Sequence, residues 1–129
     1  MLIQSEKFDT RLGEPAGWSD HVFKYCDFSN ISTEGGDVDS VFIGCTIENC
    51  EWYWGLFNMA IFVEVTFKNC TFLGTGFSGS KFIECDFVDC EFIKDNLGGA
   101  CSFTDVEWYG CSQTNCGELA NEFKSRRMK

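Results

Sequence analysis

The chain has 129 residues, nine cysteines and a formal net charge of −10. That length suits a single domain, and no apolar run approaches the roughly eighteen residues of a membrane span. Charges at Glu6, Lys7 and Asp9 fall where a secretion signal would need its apolar stretch, so the expected location is the cytoplasm.

Residues 1–20 show no regular pattern, and Leu2, Ile3, Phe8, Leu12 and Trp18 suggest a short strand or a cap at the N-terminal end. A five-residue rhythm begins over residues 21–30, centred on Phe23 and Phe28. Between Ile31 and Ser40 it slips by one residue. The intervening STEGGDVDS is rich in turn formers and acids, so it predicts a loop or bulge at a corner.

From Phe42 to Leu97 every fifth residue is large and apolar: Phe42, Ile47, Trp52, Phe57, Phe62, Phe67, Phe72, Phe77, Phe82, Phe87, Phe92 and Leu97. Two residues before each stands a small one such as Cys45, Ala60 or Ser80; Asp95 is the polar exception, expected to face inward and to bond the irregular corner beside it. A period of five is neither the 3.6 of a helix nor the 2 of a strand, so it marks an internal repeat. A second slip near Gly98–Ala100 reads as one inserted residue, after which Phe103 and Trp108 restore the rhythm. The repeat unit is expected to span 21–117. Residues 118–129 place Leu119 and Phe123 four apart, which suits a short helix over the open end.

Runs such as KFIECDFVDCEFIKDNL, with Phe in the centre and Cys, Ser or Ala two residues earlier, resemble the pentapeptide-repeat family over roughly Phe23–Cys116. The resemblance implies an all-β fold, a right-handed quadrilateral β-helix in which four pentapeptides form one coil. About five coils fit this length. It implies no enzyme and no cofactor.

The phase places all nine cysteines inward, including Cys26 in the earlier frame centred on Phe23 and Phe28, and it predicts a ladder of Cys50, Cys70, Cys90 and Cys111 at one thiol per coil. Parallel Cβ vectors do not bring sulfurs into disulfide geometry, and the four-residue gaps between cysteines are the repeat period, not a chelating turn. The thiols therefore read as small buried groups. His21, the only histidine, has no nucleophile paired with it in the pattern, so no catalytic residue is assigned.

Between Tyr25 and Glu118 there are fifteen acids against three bases, while the last eleven residues carry Lys124, Arg126, Arg127 and Lys129. Twenty-residue spacing predicts a column Glu64, Glu84 and Asp105 on side one, and Glu48, Asp86, Asp89 and Glu107 on side two. Side three is expected to show Tyr53, Leu73 and Ile93 with Trp54 at its corner, a candidate apolar contact or dimer face. Side four is expected to hold Asn58, Ser78, Gly98 and Gly99. Flat sides lack the chelating loop that calcium needs, so no metal site is assigned.

Like charges ~4.8 Å apart repel by about 0.9 kcal/mol in water, a cost that folding does not require. Five coils at ~4.8 Å span roughly 24 Å, a length over which duplex DNA carries about 14 phosphates. Small acidic members of the family include DNA mimics. The resemblance thus implies an acidic rod that occupies the DNA-binding surface of a protein without binding nucleic acid itself, as a monomer or homodimer. The first expectation is a phage anti-CRISPR protein blocking DNA recognition by a type I CRISPR surveillance complex, inside a bacterial cell. The alternatives are protection of DNA gyrase and a plain scaffold or interaction module, with acids that serve only solubility.

Overall fold

A computed structural model describes residues 2–9 and 18–125. It is an all-β parallel solenoid with one short C-terminal helix. Each strand is two or three residues long, and each pairs in parallel with the strand one coil away. Side one stacks six strands: Leu2–Gln4, Val22–Lys24, Val41–Ile43, Ile61–Val63, Lys81–Ile83 and Glu107–Tyr109. Side two also has six, from Lys7–Phe8 to Ser112–Thr114. Side three has four, from Ser32–Glu34 to Glu91–Ile93. Side four has three, from Asp37–Val38 to Gly76–Ser78, extended by a bridge from Gly76 to Ser102.

The central residues point inward and stack along the rod. On side one the ring centroids of Phe42 and Phe62 are 4.7 Å apart, Phe62 and Phe82 4.8 Å, and Phe82 and Trp108 4.6 Å. These separations match the strand spacing, so each ring packs face to face with its counterpart while the backbones keep their hydrogen bonds. Phe67–Phe87, Phe72–Phe92 and Phe57–Phe77 form the corresponding stacks on the other sides.

All but two of the described corners turn on a residue in the left-handed region two positions after the central one. Examples are Tyr25, Asn30, Asn49, Trp54, Glu64, Asn69, Glu84 and Asp89. Asn and Asp tolerate this backbone best after glycine, which accounts for the column Asn30, Asn49, Asn69, Asp89 and Asn115 between sides two and three. Two corners lack such a residue, those after Val38 and after Phe92. They are the two places where the rhythm slips.

The expected loop at residues 31–40 is not there. Ser32–Glu34 and Asp37–Val38 are ordinary strands, and the slip is a one-residue deletion at the Asp39–Ser40 corner, since Phe23 pairs with Phe42. The described part of the N-terminal segment is more than a cap: Leu2–Gln4 and Lys7–Phe8 pair in register with Val22–Lys24 and Asp27–Phe28. Ile3, Phe8 and Trp18 already obey the five-residue spacing that leads to Phe23. Trp18 packs on Phe23, Phe28, Phe42 and Trp52 at centroid distances of 5.2–6.3 Å. Leu12 lies outside the described residues.

The second slip is six residues long, because Phe77 stacks on Phe103 and Phe82 pairs with Trp108. Insertions of one and of six residues leave the same phase within a five-residue repeat. They differ in which coil position follows. Leu97 is therefore not a core residue and is 82% exposed. Asp95 points outward, and Gly98 and Gly99 belong to the inserted loop instead of side four. The helix Gly117–Ser125 closes the C-terminal end with Leu119 buried and the Phe123 ring edge-on to Trp108 at 4.9 Å. Arg126, Arg127 and Lys129 of the basic tail lie outside the described residues.

Candidate functional site

Register decides which acids share a surface. Glu64 and Glu84 occupy successive positions of the corner between sides one and two, both exposed, and Asp86 begins the side-two strand beside them. Asp105 does not continue this column. Its place above Glu84 is taken by Gly110, whose neighbour Tyr109 accepts the Glu84 amide at 2.7 Å. Asp105 stands instead at the corner between sides four and one, above Gly79 and Met59.

Glu107 likewise moves from side two to side one, next to Lys81, and accepts a hydrogen bond from the Tyr109 hydroxyl. That bond holds the Tyr109 phenol above its ordinary range. Glu48 stays on side two beside Lys68. Asp86 and Asp89 are braced by the last coil: Ser112 Oγ donates to Asp86 at 2.7 Å and Asn115 Nδ2 to Asp89 at 3.0 Å. The seven acids thus form a main group of Glu64, Glu84 and Asp86 flanked by Glu48 and Asp89. Asp105 and Glu107 form a separate pair.

Tyr53, Leu73 and Ile93 do line side three in register. The inserted loop crosses this side, however, and reaches back from the fifth coil to the third. The Tyr53 hydroxyl bonds the Asn96 side chain and accepts the Asn96 amide at 3.2 Å, while Trp54 Nε1 donates to Asp95 Oδ2 at 2.6 Å. Asp95 also accepts the amides of Gly99 and Leu97 at 2.9 and 2.8 Å. The Gly99 amide first, then the Trp54 indole and the Leu97 amide, hold its carboxyl below the usual value. Gly74 makes room for it, since a Cβ there would lie 2.4 Å from Asp95 Oδ2.

Inside the rod the small slot has a role the sequence reading missed. Cys70 Sγ donates to the Ile47 carbonyl at 3.3 Å, Cys85 to Phe62 at 3.4 Å, Thr75 Oγ1 to Trp52 at 3.2 Å and Ser80 Oγ to Phe57 at 3.0 Å. Each reaches the carbonyl of a central residue one coil back. The recurrence of Cys, Ser and Thr, all donors, was the available signal. The thiol ladder runs Cys50, Cys70, Cys90 and Cys116, with Cys116 in the place expected for Cys111; Cys111 stands over Cys85. All nine cysteines are free. Burial pushes the Cys45 thiol up to about 11, so it stays protonated and unreactive at neutral pH.

Residues 60–99 match the family model described as pentapeptide repeats, in eight copies. This segment is a run of pentapeptide repeats, and the same spacing, corner conformation and coil pairing extend on both sides of it. Similar solved structures include two trypsin-treated variants of QnrB1, a plasmid-mediated fluoroquinolone resistance protein. One has 20% identity over 90% of this chain and 52% of that chain, with a TM-score of 0.32. The other has 16% identity over 89% and 66%, with a TM-score of 0.33. Full-length QnrB1 has 12% identity over 97% and 96%, with a TM-score of 0.29. The chain spans about half the length of the first of these. No curated relative matches the sequence. No helix among the described residues is long and apolar enough to cross a membrane.

Proposed function

We propose that the rod is a non-enzymatic DNA mimic that occupies the DNA-binding surface of a partner protein. The observation that carries this reading is the corner pair Glu64 and Glu84 with Asp86 beside it, extended across side two by Glu48 and Asp89 on a parallel sheet. Coil spacing of ~4.8 Å sets Glu64 and Glu84 one above the other at the corner, a separation on the scale of phosphate spacing. Asp86 and Asp89 are held by Ser112 and Asn115, so these two acids are set before a partner arrives, which lowers the ordering cost of binding. Lys and Arg of a DNA-binding surface would meet these carboxylates in place of phosphates, and binding would weaken steeply with salt.

Two targets follow from the family resemblance, DNA gyrase and a type I CRISPR surveillance complex. The second is the first expectation because the rod is short and the tail over residues 124–129 is basic; neither feature selects a target, so both targets enter the test. A direct test mixes the purified protein with each target and measures displacement of duplex DNA at low and raised salt. The expected outcome is competition with one of them, lost in a Glu64→Gln, Glu84→Gln, Asp86→Asn, Asp89→Asn variant. Undiminished partner binding by that variant would remove the acidic edge as the interface and favour a scaffold.

A further inference from the structure

Beside the inserted loop, side three carries a concavity of about 440 Å3 lined by Ser32, Thr33, Glu34, Glu51, Tyr53, Trp54 and Asn96. Its floor is the pair of strands Ser32–Glu34 and Glu51–Tyr53, in parallel register with Ser32 opposite Glu51 and Glu34 opposite Tyr53. Outward side chains alternate along a strand, so Glu34 and Glu51 lie diagonally across the floor, with Tyr53 opposite Glu34 and Ser32 opposite Glu51. Both carboxylates are exposed. The lining holds no Lys or Arg to neutralise them.

The loop fixes what the two aromatic rings present. The Tyr53 hydroxyl is engaged by Asn96 and the Trp54 Nε1 by Asp95. The rings meet at a centroid distance of 4.4 Å and an angle of 63°, and Trp54 remains 41% exposed. Their polar atoms are therefore occupied, and π surface and carboxylate oxygens face the open space. An aromatic wall next to two carboxylates is the chemistry that takes a cation. Its planar form, a guanidinium, can lie on a ring while its N–H fork meets an acid, which an ammonium cannot do.

We propose that this concavity is a receptor for a guanidinium group, the arginine side chain of a bound protein, with Glu34 and Glu51 as its acceptors, Tyr53 and Trp54 as its stacking wall, and Asp95 as a positioning residue. The site lies on side three, away from the Glu64–Glu84 edge, so it stands or falls independently of the DNA-mimic reading.

The test is an NMR titration of the 15N-labelled full chain with N-acetyl-arginine methylamide, and in parallel with N-acetyl-citrulline methylamide, its neutral counterpart of equal length. Saturable movement of the Trp54 indole signal and of the Gly35 amide, which donates to the Tyr53 carbonyl at 2.8 Å, is expected with the arginine compound, with citrulline at least about tenfold weaker. Glu34→Gln with Glu51→Gln should reduce arginine binding several-fold, whereas Glu64→Gln with Glu84→Gln should leave it unchanged. No saturable shift, or equal response to citrulline, overturns the proposal on the unaltered protein, whatever the variants do. Equal binding by the Glu34/Glu51 variant also overturns it.

Discussion

The rod departs from its repeat twice, and the two departures are handled in opposite ways. At Asp39–Ser40 one residue is missing and the shortage is taken up inside the corner. Ser40 Oγ donates to the Trp18 carbonyl at 2.6 Å and accepts the His21 amide at 3.1 Å, and Asp39 accepts the Asp20 amide at 3.0 Å. After Phe92 six residues are added, and the excess is expelled onto the outside, where Asp95 ties it to Trp54. A deletion must be absorbed where the chain is most tightly bonded, because the coil has to close. An insertion can leave the coil intact and build a surface instead. Structure is made at the first and a binding wall at the second.

The sharpest break of this contrast is Ser40→Ala. Ser40 is buried, and its loss leaves the His21 amide without its acceptor while the Trp18 carbonyl keeps the Asp39 amide at 3.2 Å, for an expected cost of about 1–3 kcal/mol in denaturant unfolding. A change below about 0.5 kcal/mol would mean that the short corner is not held by this hydroxyl.

Gly74→Ala comes next. Its φ is +54°, and the added Cβ would collide with the Asp95 carboxylate, so strain of about 1–2 kcal/mol should accompany release of the loop. Gly98→Ala also has positive φ, +84°, but meets nothing within 4 Å. It should cost the backbone strain alone, and equal unfolding midpoints for the two variants would disprove the contact's role.

Deleting residues 95–100 joins Lys94 to Cys101 and sets Phe103 five residues after Phe92. The twenty-residue coil is then restored. Stability should change by no more than about 1 kcal/mol, while the arginine response at Trp54 disappears. Failure of the shortened chain to fold would make the loop a structural element.

The smallest effect expected is on pH. The folded state lowers the Asp95 carboxyl below its ordinary 3.8. Its contribution is therefore complete above the unfolded value and is lost as pH falls through the folded one. Loop release should follow in acid below pH 3.8, read as a change in the Trp54 indole NMR signal. Asp95→Asn should show no such acid step.

Much of the core was legible because inward and outward positions depend only on phase. Phe62, Phe72 and Cys70 needed nothing beyond the count of five, and the same count continued backward to Trp18, Phe8 and Ile3 would have found the first coil. The helix over the end was legible from Leu119 and Phe123. Among the acids, Glu64 and Glu84 were placed in one column, and Asp86 on the adjoining side, because no slip separates them. Asp105 and Glu107 were misplaced because both follow the second slip.

The sequence by itself determined the coil: a central aromatic, a small donor before it and a corner residue after it, repeated until four sides close. Those are local requirements, met within five residues and paid for by burial and hydrogen bonds one coil away. Only the tertiary structure decided which side each later residue occupies, since one inserted residue and six are indistinguishable modulo five and differ by a quarter turn in space. It alone also brought Asp95 and Asn96 back across two coils to Trp54 and Tyr53. Contacts between residues more than forty positions apart leave no trace in a five-residue period.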